Sequence, residues 1–441
     1  STKELMDSIV ATNAFDEYRS RQGLPITIIF NPSIYHGELS KEIWRIAYTY
    51  GKDFEAVSVI CAKEENAKFI TPLAELSYYA AQDEGDFKSR AKGLFDESVY
   101  LANRMDMKGF LWNNPLDGGS VVILAHPGVD KEKAIQAWTG SIACLEKDGL
   151  GKKLILKPGF GTKERDMSIM DSEIKGMNTK MQEYGLDAEN HMKLVPTSKP
   201  EKEGGLPHVR WGLTATGIIE SMIVTLRMLG KYENLAPDFG LEPDKEISVI
   251  LYGFGDINYS IFDLLTTRYR YLNIKIRGVA NTTGAIYSQD GLSQEVLRKI
   301  AKENEPLSYY ITKYNGKAEA LTRDEILTRP ATILIPAADR KIINESNCGR
   351  LNVKIIIEGG NLSVEEKTKQ ILHDRKILFI PGLITNGGGV LGSYEEFKWS
   401  QPGMPSRGLE DVKLHLFHLI ERTSIILNKL VIRKWLESEQ S

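Results

Sequence analysis

The feature that most constrains the fold is the run Ile247 to Tyr252 followed at once by Gly253-Phe254-Gly255-Asp256-Ile257-Asn258 and a helical pattern from Tyr259 to Tyr269. An apolar β-rich run, a glycine turn and a helix in direct succession predict the first half of a βαβ unit, and with it a parallel sheet. Gly253 would permit the tight turn, and Gly255 would let backbone approach a pyrophosphate held at the helix N-terminus. The third glycine of a Gly-x-Gly-x-x-Gly pattern is replaced by Asn258, which is expected to widen the contact between helix and strand. Asp256, first in the helix, is included in the cofactor-binding set. An ordinary structural turn is the competing reading of the motif on its own.

The next strand, Ile274 to Ala280, ends at Asn281. An NAD-selective site places an acid there to accept hydrogen bonds from the ribose hydroxyls, and an uncharged asparagine removes the repulsion that excludes a 2′-phosphate. Both NAD and NADP therefore remain as candidate cofactors. Upstream, Leu24 to Phe30, Val57 to Cys61, Ser120 to Leu124 and Lys153 to Leu156 read as strands, with helical patterns at Glu97 to Met107 and Asp130 to Glu146. A connection rich in Pro, Gly and charge, Thr197 to Pro207, precedes a further helical run at Thr214 to Leu229.

The 441 residues are 42% hydrophobic, enough for two cores of ordinary size. The 56 basic and 59 acidic residues are well mixed, so neither nucleic acid nor a membrane surface is expected as a partner. Three scattered cysteines, Cys61, Cys144 and Cys348, suit a reducing compartment, and with no signal-peptide pattern the expected location is cytoplasmic. No metal site is expected. Of the histidines only His415 and His418 pair at helical spacing, while His208 is a minor candidate acid or base.

Several further motifs fall in order. They are Gly278-Val279-Ala280-Asn281-Thr282-Thr283-Gly284, Ile333 to Ala338, Ile357-Glu358-Gly359-Gly360-Asn361, and Asn386-Gly387-Gly388-Gly389 leading to Ser393. With Lys108 to Ser120 they resemble the glutamate/leucine/phenylalanine/valine dehydrogenase family, closest in outline to glutamate dehydrogenase. The resemblance implies an α/β fold with a substrate domain at 1–206, a Rossmann-like dinucleotide domain at 207–385, and C-terminal helices at 386–441 returning to the first domain. It also implies a small-molecule substrate, hydride transfer in a cleft, and a homo-oligomer.

By the same resemblance, Lys88, Lys108 and Ser393 fall at substrate-binding positions. Thr216, Gly253, Gly255, Asp256, Asn281, Asn361 and Asn386 fall on the cofactor side. The two catalytic positions depart from the family pattern. Ser120 stands where a Gly-Gly-Gly-Lys turn would supply a lysine, and Gly159 stands where an aspartate would move protons. Glu84 replaces a substrate-binding lysine with a charge of the opposite sign. A serine hydroxyl carries no positive charge for a developing alkoxide, and glycine offers no side-chain base. Two readings follow: an NAD(P)-dependent oxidoreductase with altered substrate or chemistry, or a noncatalytic relative acting as a binding or regulatory protein.

Overall fold

The computed structural model describes residues 25–30, 43–61, 71–143, 153–185, 193–230, 236–239, 241, 246–338, 340–401, 403 and 408–440. Cys144, His36 and His191 lie outside these residues. The chain forms two compact units, Ser1–Pro207 with Val390–Ser406, and His208–Gly389 with Arg407–Ser441.

The first unit is built on a seven-stranded sheet: β1 (Ile26–Phe30), β2 (Ile43–Tyr50), β3 (Phe54–Cys61), β4 (Pro72–Ala80), β5 (Asp117–Ala125), β6 (Lys153–Pro158) and β7 (Lys193–Pro196). Their order across the sheet is β1-β2-β3-β5-β4-β6-β7. The strands β5, β4, β6 and β7 run parallel, and β1 to β3 extend the sheet antiparallel. The helices α1 (Glu84–Leu111), α2 (Lys131–Ala143) and α3 (Glu164–Glu183) complete the layers. One face packs on Trp138 and Ile142 of α2 and Met167 and Met170 of α3, and the other on Phe87, Leu94 and Leu101 of α1.

Helix α1 is longer than the periodic stretch at Glu97 to Met107 suggests. Asp83 caps it by accepting a hydrogen bond from the Asp86 N–H at 2.8 Å, and Glu84 and Asp86 favour its first turn electrostatically. The apolar stripe then carries the helix to Leu111, with Lys108 in the last turn.

The second unit contains α4 (Leu213–Leu229), β8 (Ser248–Tyr252), α5 (Asp256–Thr266), β9 (Lys275–Asn281), β10 (Gly284–Tyr287), α6 (Gln294–Lys302), β11 (Glu319–Leu321), β12 (Ala331–Pro336), β13 (Val353–Ile357), α7 (Lys369–Asp374) and β14 (Leu378–Ile380). The sheet order is β11-β10-β9-β8-β12-β13-β14, with β9, β8, β12, β13 and β14 parallel. The chain leaves β8 toward β9 on one side and later returns to β12 on the other, which makes the β8/β12 boundary the topological switch point of a Rossmann-like sheet.

Two helices follow, α8 (Gly388–Trp399) and α9 (Leu409–Gln440). Of the stretch 386–441, expected to return to the first domain, Val390–Ser406 groups with the first unit and Arg407–Ser441 with the second. Helix α9 packs on α4: Asn428 donates to Ser221 Oγ at 2.9 Å, and Trp435 meets Phe239 edge to face. Its apolar positions Leu416, Ile420 and Ile432 are completely buried, so its burial is satisfied within the second unit.

Candidate functional site

The turn after β8 has the geometry a dinucleotide needs. Gly253 has φ +92°, and a Cβ there would lie 2.3 Å from Ala338 Cβ and 2.9 Å from the Ala337 carbonyl oxygen. Glycine at 253 therefore lets the ends of β8 and β12 close on one another at the switch point. Gly255 caps α5 in an extended conformation, and a Cβ there would meet nothing within 4 Å. Open space thus stands before the helix N-terminus, with exposed Asp256 as its first residue.

Asn258, expected to widen the contact, bridges it. It is completely buried, and its amide nitrogen donates to the Tyr252 carbonyl at 2.9 Å and the Ile335 carbonyl at 3.1 Å. The side chain ties the ends of β8 and β12 together. Asn258→Ala is expected to lower stability by about 1–3 kcal/mol, because buried hydrogen bonds to the Tyr252 and Ile335 carbonyls are lost. Urea unfolding checks this, and an unchanged midpoint would contradict the bracing role.

Farther along the sheet, Asn281 ends β9, and its Oδ1 accepts from the Thr283 N–H at 2.8 Å and hydroxyl at 2.6 Å. What this side chain has left is its N–H donors. Arg277 is not at this end of β9. It lies four residues earlier, where its guanidinium meets Glu246 at 3.4 Å.

Beyond β13, Glu358 is buried and accepts from the Val364 N–H at 3.2 Å and the Gly382 N–H at 2.6 Å. Asn386 donates to the Gly359 and Gly360 carbonyls and lies 3.3 Å from Asn361 Oδ1, while its own Oδ1 is buried with no hydrogen-bond partner among the described residues. Thr216, in α4, gives its hydroxyl proton to the Gly212 carbonyl at 2.9 Å and retains acceptor capacity. Glu358 was overlooked as a site residue, although its place in the Glu-Gly-Gly-Asn motif was a usable signal.

In the first unit the structure separates residues that the resemblance groups together. Lys88 is exposed in the second turn of α1 and Lys108 is buried in its last turn, with about 30 Å of continuous helix between them at 1.5 Å per residue. One small substrate cannot bridge them, so Lys88 is removed from the candidate set. Glu84, at the start of the same helix and 3.3 Å from His126 Nδ1, is removed from the neighbourhood of Lys108 for the same reason.

Ser120 lies in β5 under α1. It is completely buried, and its hydroxyl donates to the Ser98 carbonyl at 2.6 Å. In register beside it on β4 is Glu75, and beside Glu75 on β6 is Lys157. The Lys157 ammonium donates to Glu75 Oε2 at 2.9 Å and to the Pro158 carbonyl at 3.0 Å. Gly159 turns the chain next to this pair, and a Cβ on it would stand 2.4 Å from Glu75 Cγ. The space where an aspartate at 159 would begin is filled by the Glu75 side chain. Sequence reading missed both Glu75 and Lys157, and the one available signal was a carboxylate within the apolar run Pro72 to Ala80.

Ser393, on α8, is buried, and its Oγ lies 2.9 Å from Thr197 Oγ1, which is also 2.9 Å from the Leu156 carbonyl oxygen. A cavity of about 230 Å³ nearby is lined by Thr197, Lys199, Leu206, Glu396 and Phe397. Its lysine is committed to Asp171 at 3.0 Å. Burial opposes ionisation of Asp171, but hydrogen bonds from Lys175 and Lys199 outweigh it and hold the carboxyl below the usual range. Among the described residues no group of three or more His, Cys, Asp or Glu could hold a metal ion, and no helix is long and apolar enough to cross a membrane.

Residues 204–414 match the sequence family described as Glutamate/Leucine/Phenylalanine/Valine dehydrogenase. This part of the chain is similar to that family. It is 27% identical over 331 residues to the mitochondrial glutamate dehydrogenase of Dictyostelium discoideum, covering 74% of this chain and 61% of that protein. It is also 27% identical over 310 residues to the NADP-specific glutamate dehydrogenase of Saccharolobus shibatae, covering 70% of this chain and 66% of that one. The match thus spans less than two thirds of the length of these curated relatives.

Among solved structures, a Plasmodium falciparum glutamate dehydrogenase aligns with a TM-score of 0.62 at 15% identity, over 96% of this chain and 85% of that one. The hetero-hexameric glutamate dehydrogenase of Thermus thermophilus in its Leu-bound form aligns at 0.60 with 17% identity, over 91% and 81%. The two-unit α/β fold with its Rossmann-like sheet is therefore a fold shared with these solved structures.

Proposed function

We propose that this chain is an NAD(P)-dependent oxidoreductase of the amino-acid dehydrogenase family whose substrate chemistry is not carried by the family's lysine and aspartate. The observation that carries the reading is the second unit's turn, where Gly253 closes on Ala338 and Gly255 leaves open space before α5. The orphaned Oδ1 of Asn386 adds a buried acceptor suited to the amide of a nicotinamide. A bound dinucleotide would supply hydride exchange. Gly253, Gly255 and the α5 N-terminus would hold its pyrophosphate, while Thr216, Asn361 and Asn386 would orient its nicotinamide end. Asn281 presents no carboxylate to a 2′-phosphate, so NADPH is expected to bind at least as tightly as NADH.

The test is a fluorescence titration of the purified protein with NADH and NADPH in parallel. Micromolar binding of either supports the reading, and absence of both sinks it. Saturable binding with no nicotinamide turnover across 2-oxo, 2-hydroxy and 2-amino acids would favour the noncatalytic alternative, which the sealing of Ser120 beneath α1 also supports. The same reading carries a closed homo-oligomer, and sedimentation of the titrated sample as a monomer would remove that part of it.

A further inference from the structure

The register of β5, β4 and β6 sets Ser120, Glu75 and Lys157 side by side, and the same face holds further buried charge. Leu73 and Ile155, two residues before Glu75 and Lys157 on their strands, pack with Met105 of α1 and Val390 of α8. One turn of α1 apart, Arg104 and Lys108 flank Met105 and are both buried, as is Glu395 of α8.

The ion pair itself is equipped to hold a ligand. An ammonium has three donors, and Lys157 uses two, on Glu75 and on the Pro158 carbonyl, so one remains without an acceptor among the described residues. Lys157 is next to last in β6, at the carboxyl end of a parallel strand, where ligands of α/β sheets are received. Glu75 reaches the space that a side chain at 159 would need. Position 159, which would supply a carboxylate by family pattern, is thus adjacent to Glu75, which supplies that charge from another strand, while Lys157 supplies a cation two strands across the sheet from position 120.

We propose that Lys157 and Glu75 are the substrate-contacting pair of the first unit and that their ligand is a small carboxylate with a polar group on its α-carbon. Lys157 donates its remaining N–H to the ligand's α-oxygen, and Glu75 accepts from the α-hydroxyl or α-amino group. The cation has moved across the sheet from position 120 to position 157, and the carboxylate from position 159 to position 75. This inference rests on the oxidoreductase reading above for the class of ligand, but its test needs no turnover.

The experiment follows binding of pyruvate, L-lactate and L-alanine to the full chain by calorimetry, with ¹⁵N-lysine spectra of the side-chain ammonium groups as a second readout. At least one probe is expected to bind the wild-type protein and shift one buried lysine signal that is absent from the Lys157→Met spectrum. The Glu75→Leu/Lys157→Met double variant leaves no lone buried charge, so it is expected to keep its fold and its nucleotide affinity. Its probe affinity should fall about 10- to 100-fold, the loss expected for a charge-assisted hydrogen bond.

Probe binding within twofold of wild type in the double variant would show the pair to be structural and overturn the proposal. So would wild-type probe binding that leaves the Lys157 signal unmoved, a result available even if the double variant fails to fold. Absence of binding by all three probes would also overturn it, whereas loss of the oxidoreductase reading is reported separately by the nucleotide titration.

Discussion

A Ser120→Lys/Gly159→Asp double variant, which puts back the lysine and aspartate of the family pattern, is expected to lose stability rather than gain glutamate dehydrogenase activity. Each position has been closed by a neighbour. The Ser120 side chain is completely buried with its hydroxyl on the Ser98 carbonyl, so a lysine must force its four methylenes beneath α1. Overpacking of this kind costs about 1–3 kcal/mol before any charge is considered. At 159 the new Cβ would fall 2.4 Å from Glu75 Cγ, and Glu75 is held in place by Lys157. The added carboxylate would stand within about 4 Å of the first, a repulsion on the order of 4 kcal/mol at an effective dielectric of 20. Together these terms predict a loss of about 4 kcal/mol or more, with the like-charge contact the larger part. Urea unfolding of the double variant and of each single variant measures it. A wild-type midpoint with new turnover of glutamate would mean that both positions had stayed open.

The same geometry explains which parts of the molecule the sequence discloses. The cofactor half is local in the chain: Ile247 to Asn258 is strand, turn and cap in one run, and Gly253 reports a backbone requirement at its own position. The substrate half depends on pairing register, which no run of residues contains. Glu75 and Lys157 are neighbours only because β4 lies between β5 and β6. Strand β4 is itself nearly silent, since a central strand buried on both faces has no apolar alternation to betray it.

Lys88 and Lys108 illustrate the opposite failure. Their spacing fits a motif, but the Asp83 cap and an uninterrupted apolar stripe make a single rod of the segment and hold the two ends apart. In sequence Asn258 departs from the glycine pattern, and its bridging role lies in two carbonyls from separate strands that a linear pattern cannot show.

The nucleotide turn offers the other large effect, because its two glycines make different demands. Gly253→Ala places a Cβ 2.3 Å from Ala338 Cβ at a φ of +92°, so the variant carries both backbone strain and a clash with β12's exit. A left-handed conformation costs an L-residue roughly 1–2 kcal/mol and overpacking about 1–3, which together predict about 3 kcal/mol of lost stability. Relief requires the turn to move away from Ala338, and that movement displaces the Phe254 N–H and the start of α5. Nucleotide affinity is therefore expected to fall with stability, by at least about tenfold if the displacement costs one charged hydrogen bond to phosphate.

Gly255→Ala separates the two effects. Its Cβ would meet nothing within 4 Å in the protein, so the unfolding midpoint should not change. If pyrophosphate occupies the open space before α5, that methyl group will still weaken binding. A stable Gly255→Ala protein with undiminished nucleotide affinity would mean that the phosphates lie elsewhere, whatever Gly253→Ala does to the fold.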